Sequence, residues 1–238
     1  MKIGALLPPG NPTVEAELRR MAPDVELALA RLVTPDGQGP AGEAEGMEAR
    51  ARGYLAGLDV PAREVGRASP TVTVLAHTAS SYLNGFAAEP ALVARLSAAS
   101  GGPALTAAGA VRAALLALGV KRVALGTPYP ESIMALGRAY WQAAGFHVVS
   151  HRRLGDIPDI YATTEAQARD LARAVDTAGA DGVLLSGTGM PTVGVLAELE
   201  RELGKPVVSS NQALLWHAFR VVGAPRAIPG FGRLLSEG

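Results

Sequence analysis

Residues 71–81 of the chain read TVTVLAHTASS, and residues 182–189 read GVLLSGTG. Each segment begins with apolar and β-branched residues, which are typical of a buried strand, and then turns into small polar residues. The two strand ends also share a pattern, because residues 75–78 read LAHT and residues 185–188 read LSGT. This echo indicates two related halves, each with a polar segment after a buried strand.

The rest of the chain alternates between strand and helix patterns. Helical periodicity covers residues 13–20, 107–118, 131–144, 164–178, 193–203 and 213–222, with strand patterns between them. Strands that recur after helices predict βαβ units and parallel sheets covered on both faces. We therefore predict an α/β fold with two lobes that face each other, and polar loops at residues 77–81 and 209–211. Ligands of parallel sheets bind beyond the carboxyl ends of the strands, where these loops lie.

Length and composition exclude several classes of protein. A chain of 238 residues that is 48% hydrophobic and 18% charged can bury a large core, so it is not intrinsically disordered. Its formal net charge of zero predicts no binding to nucleic acid or to anionic membranes. No apolar run approaches the ~20 residues of a membrane span, and a strand pattern begins at Lys2. We expect a cytoplasmic protein, and the sparse charge predicts a homo-oligomer built on a dimer.

The chain contains no cysteine, which removes disulfides, zinc–thiolate sites and every thiol mechanism. Phosphate-loop and dinucleotide motifs are missing, and no group of histidine and acidic residues has the spacing of a metal site. We therefore expect no metal.

The polar residues at the predicted strand ends are mostly neutral hydroxyls and amides. Together with helix N-termini they form a donor-rich set that suits a small anion such as a carboxylate. An alternative is that each of them only caps a helix. The set consists of Asn11, His77, Thr78, Ser80, Ser81, Thr127, Tyr129, Ser186, Thr188 and Asn211.

Four segments resemble one known family. They are residues 7–15 (LPPGNPTVE), 127–129 (TPY), 185–188 (LSGT) and 204–213 (GKPVVSSNQA), followed by Trp216. In this order they are similar to the maleate cis-trans isomerase and arylmalonate decarboxylase branch of the aspartate/glutamate racemase superfamily. The resemblance implies two pseudosymmetric Rossmann-like lobes with four-stranded parallel sheets, and a small carboxylate in the cleft between them. It also implies catalysis without a cofactor or a metal.

The resemblance also implies lobe boundaries and site residues. Lobe one would comprise residues 1–105 and 211–238, and lobe two residues 106–210. Asn11 and Tyr129 resemble the donors that bind the substrate carboxylate. The other residues that match substrate-binding positions are Thr78, Ala79, Thr127, Gly187 and Thr188.

One departure from the family is serious. Its members carry a cysteine at one or both pseudo-equivalent strand ends, where this chain has His77 and Gly187. Decarboxylation of a malonate-type acid through an enediolate suits the loss of thiols best, with His77 or Tyr129 as the candidate catalytic proton donor. The alternatives are a maleate-type isomerase or racemase, and a catalytically silent protein that binds carboxylates. A purely structural His77, bonded to a backbone carbonyl, is an alternative of its own.

Overall fold

A computed structural model of the protein describes residues 1–34, 36, 43, 45–155 and 157–237. Two four-stranded parallel sheets form its framework. The first contains β1 (Lys2–Leu7), β2 (Glu26–Arg31), β3 (Val72–Leu75) and β4 (Ala104–Thr106), in the order β2-β1-β3-β4. The second contains β5 (Arg122–Thr127), β6 (His147–Arg153), β7 (Gly182–Leu185) and β8 (Val207–Ser209), in the order β6-β5-β7-β8. The same order in both sheets confirms two pseudosymmetric halves.

Helices cover the sheets, as parallel strands require. The helices of the described residues are α1 (Thr13–Met21), α2 (Met47–Ala56), α3 (Asp59–Gly66), α4 (Thr78–Asn84), α5 (Glu89–Ser100), α6 (Ala107–Ala117), α7 (Glu131–Ala143), α8 (Glu165–Val175), α9 (Leu196–Leu203), α10 (Ser210–Val221) and α11 (Arg233–Ser236). Within this set, no helix combines the length and the apolar composition that crossing a bilayer requires.

The register of the central strands brings the functional loops to one edge of each sheet. In the first sheet Leu6 of β1 pairs with Leu75 of β3, and in the second Gly126 of β5 pairs with Leu185 of β7. Each pair lies at the carboxyl ends of its strands. The segments that follow them therefore start side by side.

Two polar segments that were expected to be loops begin helices instead. Helix α4 starts at Thr78, directly after the extended residue His77, and α10 starts at Ser210. Small hydroxyl residues favour helix N-termini because their short polar side chains compensate for backbone groups that lack helical partners. The prediction of loops at residues 77–81 and 209–211 is therefore wrong, and both segments present helix N-termini to the cleft.

One hydrophobic core is continuous between the two sheets, and it includes Val74 of β3 and Leu184 of β7. Helices α6 and α10, which follow the last strand of each sheet, pack against each other. Buried alanines such as Ala110 and Ala114 keep the surface of α6 narrow enough for close helix packing.

The lobe boundaries stay a prediction. The two sheets lie within the two predicted lobes, except that β4 ends at Thr106, one residue beyond the boundary. The predicted ranges also include residues 35, 37–42, 44, 156 and 238, which lie outside the described residues.

Candidate active site

The carboxyl ends of β3 and β7 meet across the junction of the two sheets. The Thr188 hydroxyl donates a hydrogen bond of 2.9 Å to the Ala76 carbonyl, and the Tyr82 hydroxyl lies 2.5 Å from Ser186 Oγ. Both contacts are buried, so the two strand ends are held together without intervening solvent. The cleft between the lobes therefore brings together most of the polar residues that the sequence predicted.

Tyr129 places a hydroxyl at the start of α4. Its backbone N–H donates to Thr127 Oγ1 at 3.1 Å, which fixes the turn after β5. The Thr78 side chain and the Ala79 backbone N–H lie close enough to the phenol to favour its charged form, although burial outweighs them. Burial raises the pKa of Tyr129, so the phenol stays protonated and is a donor. A hydroxyl pair beside a helix N-terminus is suited to bind an anionic oxygen.

Asn11 contributes an amide donor in the segment between β1 and α1. Its Oδ1 accepts the N–H groups of Thr13 at 2.9 Å and of Val14 at 3.2 Å, so Asn11 caps the start of α1. Its Nδ2 is buried and has no hydrogen-bond partner within the described residues. A buried amide that donates to nothing costs free energy, and an anionic ligand would recover it.

His77 lies at the end of β3 and is only 8% exposed. Its Nδ1 is 2.8 Å from Ser80 Oγ, and the edge of its ring packs against Tyr54 with the centroids 5.2 Å apart. Burial, reinforced by the nearby Arg50 cation, lowers the pKa of His77 to about 3. The imidazole is therefore neutral at physiological pH. Its Nδ1 thus pairs with a serine hydroxyl rather than with a backbone carbonyl.

Gly187, at the end of β7, has a backbone that a side chain would strain. Its φ is +141°, and an added Cβ would lie 2.9 Å from Pro128 Cδ. Its N–H donates to Ser210 Oγ at 3.0 Å, so this backbone donor is already paired. In this conformation a cysteine side chain at position 187 would meet both the strained backbone and the close approach to Pro128.

Thr188 is the pseudo-equivalent of Thr78, but its hydroxyl is committed to the Ala76 carbonyl. The Thr188 carbonyl accepts the Asn211 side chain at 3.1 Å. Since the hydroxyl and the carbonyl are both paired, the backbone N–H is the Thr188 group that can donate to a ligand. The substrate-binding role of Thr188 stays a prediction.

Sequence reasoning missed several residues of the cleft. Ser210 links the two halves of the site, and Glu17 of α1 supports the loop after β7. Tyr161 packs against Gly189, where a Cβ would lie 2.6 Å from its ring. Ser210 lies within residues 204–213, the segment that resembles the family, so the sequence did indicate the region where α10 begins. Neither Glu17 nor Tyr161 carries any such signal, because tertiary contacts alone bring them to the cleft.

No cluster of three or more metal-binding side chains occurs among the residues that the structure describes. What the cleft offers a ligand is hydroxyls, an amide, a neutral imidazole and backbone N–H groups. Such a set can bind a carboxylate and stabilise negative charge that develops on it.

The fold and the cleft define a two-lobed α/β protein whose site lies between pseudosymmetric parallel sheets. A family model described as arylmalonate decarboxylase matches residues 3–235. The chain belongs to this family. It is 34% identical to arylmalonate decarboxylase of Bordetella bronchiseptica over 249 aligned residues, which cover 99% of this chain and 96% of that protein. It is 31% identical to maleate isomerase of Nocardia farcinica over 252, with the same coverage of each chain.

Solved structures of both enzymes share the fold. A crystal structure of arylmalonate decarboxylase superposes with a TM-score of 0.83 at 31% identity, covering all of both chains. Maleate cis-trans isomerase of Nocardia farcinica, solved with a covalently bound succinylcysteine intermediate, superposes with a TM-score of 0.88 at 26% identity, covering 100% of this chain and 98% of the other. That covalent intermediate requires a cysteine, which this chain does not have.

Proposed function

We propose that this protein decarboxylates a small malonate-type diacid through an enediolate, without a cofactor. The observation that carries the proposal is the donor group of Thr78, Ala79 and Tyr129 at the start of α4. Such donors suit a reaction in which negative charge develops on the oxygens of a bound carboxylate. Asn11, with its unpaired amide after β1, is a further candidate donor for the substrate.

In the proposed reaction, the bond between the central carbon and one carboxylate breaks and carbon dioxide leaves. The electron pair stays on the central carbon and spreads onto the remaining carboxylate as an enediolate. Thr78 and Tyr129 donate to its oxygens. A proton then adds to the carbon and completes the monocarboxylic acid.

His77 is the proposed proton donor, acting as a neutral imidazole. If the Ser80 hydroxyl donates to Nδ1, then Nε2 carries the proton. An enediolate carbon is a strong base, so a neutral N–H can protonate it without a prior imidazolium, and water then reprotonates the imidazolate that remains. Tyr129 is the alternative donor, although its hydroxyl is also needed to bind the enediolate.

Isomerisation of a maleate-type acid is less well supported, because the chain has no cysteine with which to form a covalent adduct. A specific observation does favour a second candidate function, which is carboxylate binding without turnover. His77 and Gly187 stand at both positions where the family resemblance places thiols, while the donor group at α4 is complete.

One experiment separates these functions. The protein is incubated with phenylmalonate, methylmalonate and maleate, and proton NMR in D2O follows the loss of substrate and the deuteration of the product. Decarboxylation predicts a monocarboxylic acid labelled at its central carbon, and isomerisation predicts fumarate. Binding by calorimetry without either product would establish the silent protein. Tyr129→Phe, which removes only the hydroxyl, should weaken carboxylate binding by ~1–3 kcal/mol.

The expected dimer-based assembly and cytoplasmic location also stay proposals. Light scattering at micromolar concentration tests the assembly, and a monomer would contradict it.

A further inference from the structure

Ser210, the first residue of α10, lies between the two halves of the cleft. Its Oγ accepts the Gly187 N–H at 3.0 Å and lies 3.3 Å from Thr78 Oγ1. Ser210 is only 1% exposed, so no bulk water competes for these contacts. One hydroxyl therefore connects the end of β7 with the donor group at α4.

The direction of these hydrogen bonds follows from their donors. A backbone N–H can only donate, so Gly187 occupies one lone pair of Ser210 Oγ. When a carboxylate is bound, the Thr78 proton points to it, which leaves Thr78 Oγ1 as an acceptor. The Ser210 hydroxyl then donates its proton to Thr78 Oγ1.

We propose that Ser210 is a positioning residue that turns the Thr78 hydroxyl proton toward the substrate carboxylate and strengthens it as a donor. This role of Ser210 rests on the proposed decarboxylation, and it explains how the Thr78 donor is oriented. Hydrogen bonds in a chain polarise one another, so a hydroxyl that accepts a bond becomes a better donor. The effect is largest in the transition state, where the charge on the carboxylate oxygens increases.

The other half of the molecule lacks this device. Helix α6 follows β4 as α10 follows β8, and its first residue is Ala107, which has no hydroxyl. Among the residues that the structure describes, the first position of α10 thus has a hydroxyl beside Thr78, and the first position of α6 has none. The inference therefore assigns the carboxylate that becomes the enediolate to the α4 side of the cleft.

The test compares three variants in steady-state kinetics with phenylmalonate. Ser210→Ala should lower kcat about tenfold, the equivalent of about 1.4 kcal/mol, and change KM less than twofold. Ser210→Thr keeps the hydroxyl and should restore most of kcat. Ser100→Ala, the control at a buried serine at the end of α5, removes a hydroxyl without a hydrogen-bond partner among the described residues and should keep kcat within about twofold of the wild type. A single cooperative melting transition for Ser210→Ala, at a temperature lowered by the loss of the Gly187 hydrogen bond, shows that the variant is folded.

The outcomes separate this inference from the proposed function. Normal turnover by Ser210→Ala would overturn the role of Ser210 and leave the decarboxylase intact. If the wild type binds phenylmalonate without turnover, the decarboxylase fails, and the inference fails with it because its expected effect is on kcat. If the wild type neither binds nor reacts, both fail. Should Ser210→Thr not fold, the kcat of folded Ser210→Ala decides alone.

Discussion

The two strand ends that meet in the cleft achieve their rigidity in different ways. After β3 the chain enters α4 at once, and the helix orients the N–H groups of Thr78 and Ala79. After β7 the chain runs without a helix or strand from Ser186 to Val195. An irregular loop cannot fix its own backbone groups, so other elements must hold it.

Two such elements, α1 and α10, hold the loop after β7. The Thr13 hydroxyl donates to the Gly189 carbonyl at 2.8 Å, and Asn211 donates to the Thr188 carbonyl. Glu17 Oε1 accepts the N–H of Val193 at 2.9 Å, and that of Thr192 beside it. The two equivalent strand ends thus have different roles. The end of β3 presents hydrogen-bond donors to the cleft, and the loop after β7 is held in place by hydrogen bonds to its neighbours.

Removing the Glu17 anchor should have the largest effect. Glu17→Ala leaves two backbone N–H groups without an acceptor in a buried site and removes one of the two acceptors of the Asn211 amide, so we expect a loss of about 3 kcal/mol in the free energy of unfolding. Urea denaturation measures it. Glu15→Ala is the control on the same helix, because it removes a solvent-exposed ion pair with Arg19 and should cost less than ~1 kcal/mol. Equal losses in both variants would mean that the loop is held without Glu17.

The two pseudo-equivalent threonines should respond differently to the same substitution. Thr78→Val removes a donor to the developing charge, so kcat for phenylmalonate should fall about 100-fold, or about 2.7 kcal/mol. Thr188→Val loses only the bond to Ala76, so it should cost ~1 kcal/mol of stability. Its kcat should stay within about threefold of the wild type. A larger kinetic effect at Thr188 than at Thr78 would reverse the assignment of the two strand ends.

Gly187 provides a third, smaller contrast. Gly187→Ala places a Cβ at a φ of +141° and against Pro128, so we expect a loss of about 2 kcal/mol. Gly119→Ala is the control, because Gly119 also has a positive φ, of +68°, but open space around it, and should cost about 1 kcal/mol. Equal melting temperatures for Gly187→Ala and the wild type would show that the loop after β7 relaxes around a side chain.

Sequence patterns predicted the two lobes because buried parallel strands and their covering helices carry a strong periodic signal. They also placed Asn11, His77, Thr78 and Tyr129 at strand ends, where the structure has them. The start of α4 was missed because serine and threonine suit both loops and first helical turns. The anchoring by Glu17 had no local signal, since its partners lie more than 170 residues away.

The smallest expected effect concerns the charge of His77. Burial lowers its pKa to about 3, against about 6.5 in the unfolded chain. Between these values the unfolded chain binds a proton that the folded protein does not, so stability falls as the pH falls below 6.5.

From pH 7.5 to 5.5 the wild type should lose about 1.4 kcal/mol more than His77→Gln, which has no imidazole to protonate. Buried acids such as Glu89 titrate in both proteins and cancel in this difference. Parallel stability curves for wild type and His77→Gln would mean that the folded protein protonates His77 freely, and the neutral imidazole at the end of β3 would no longer distinguish the two strand ends.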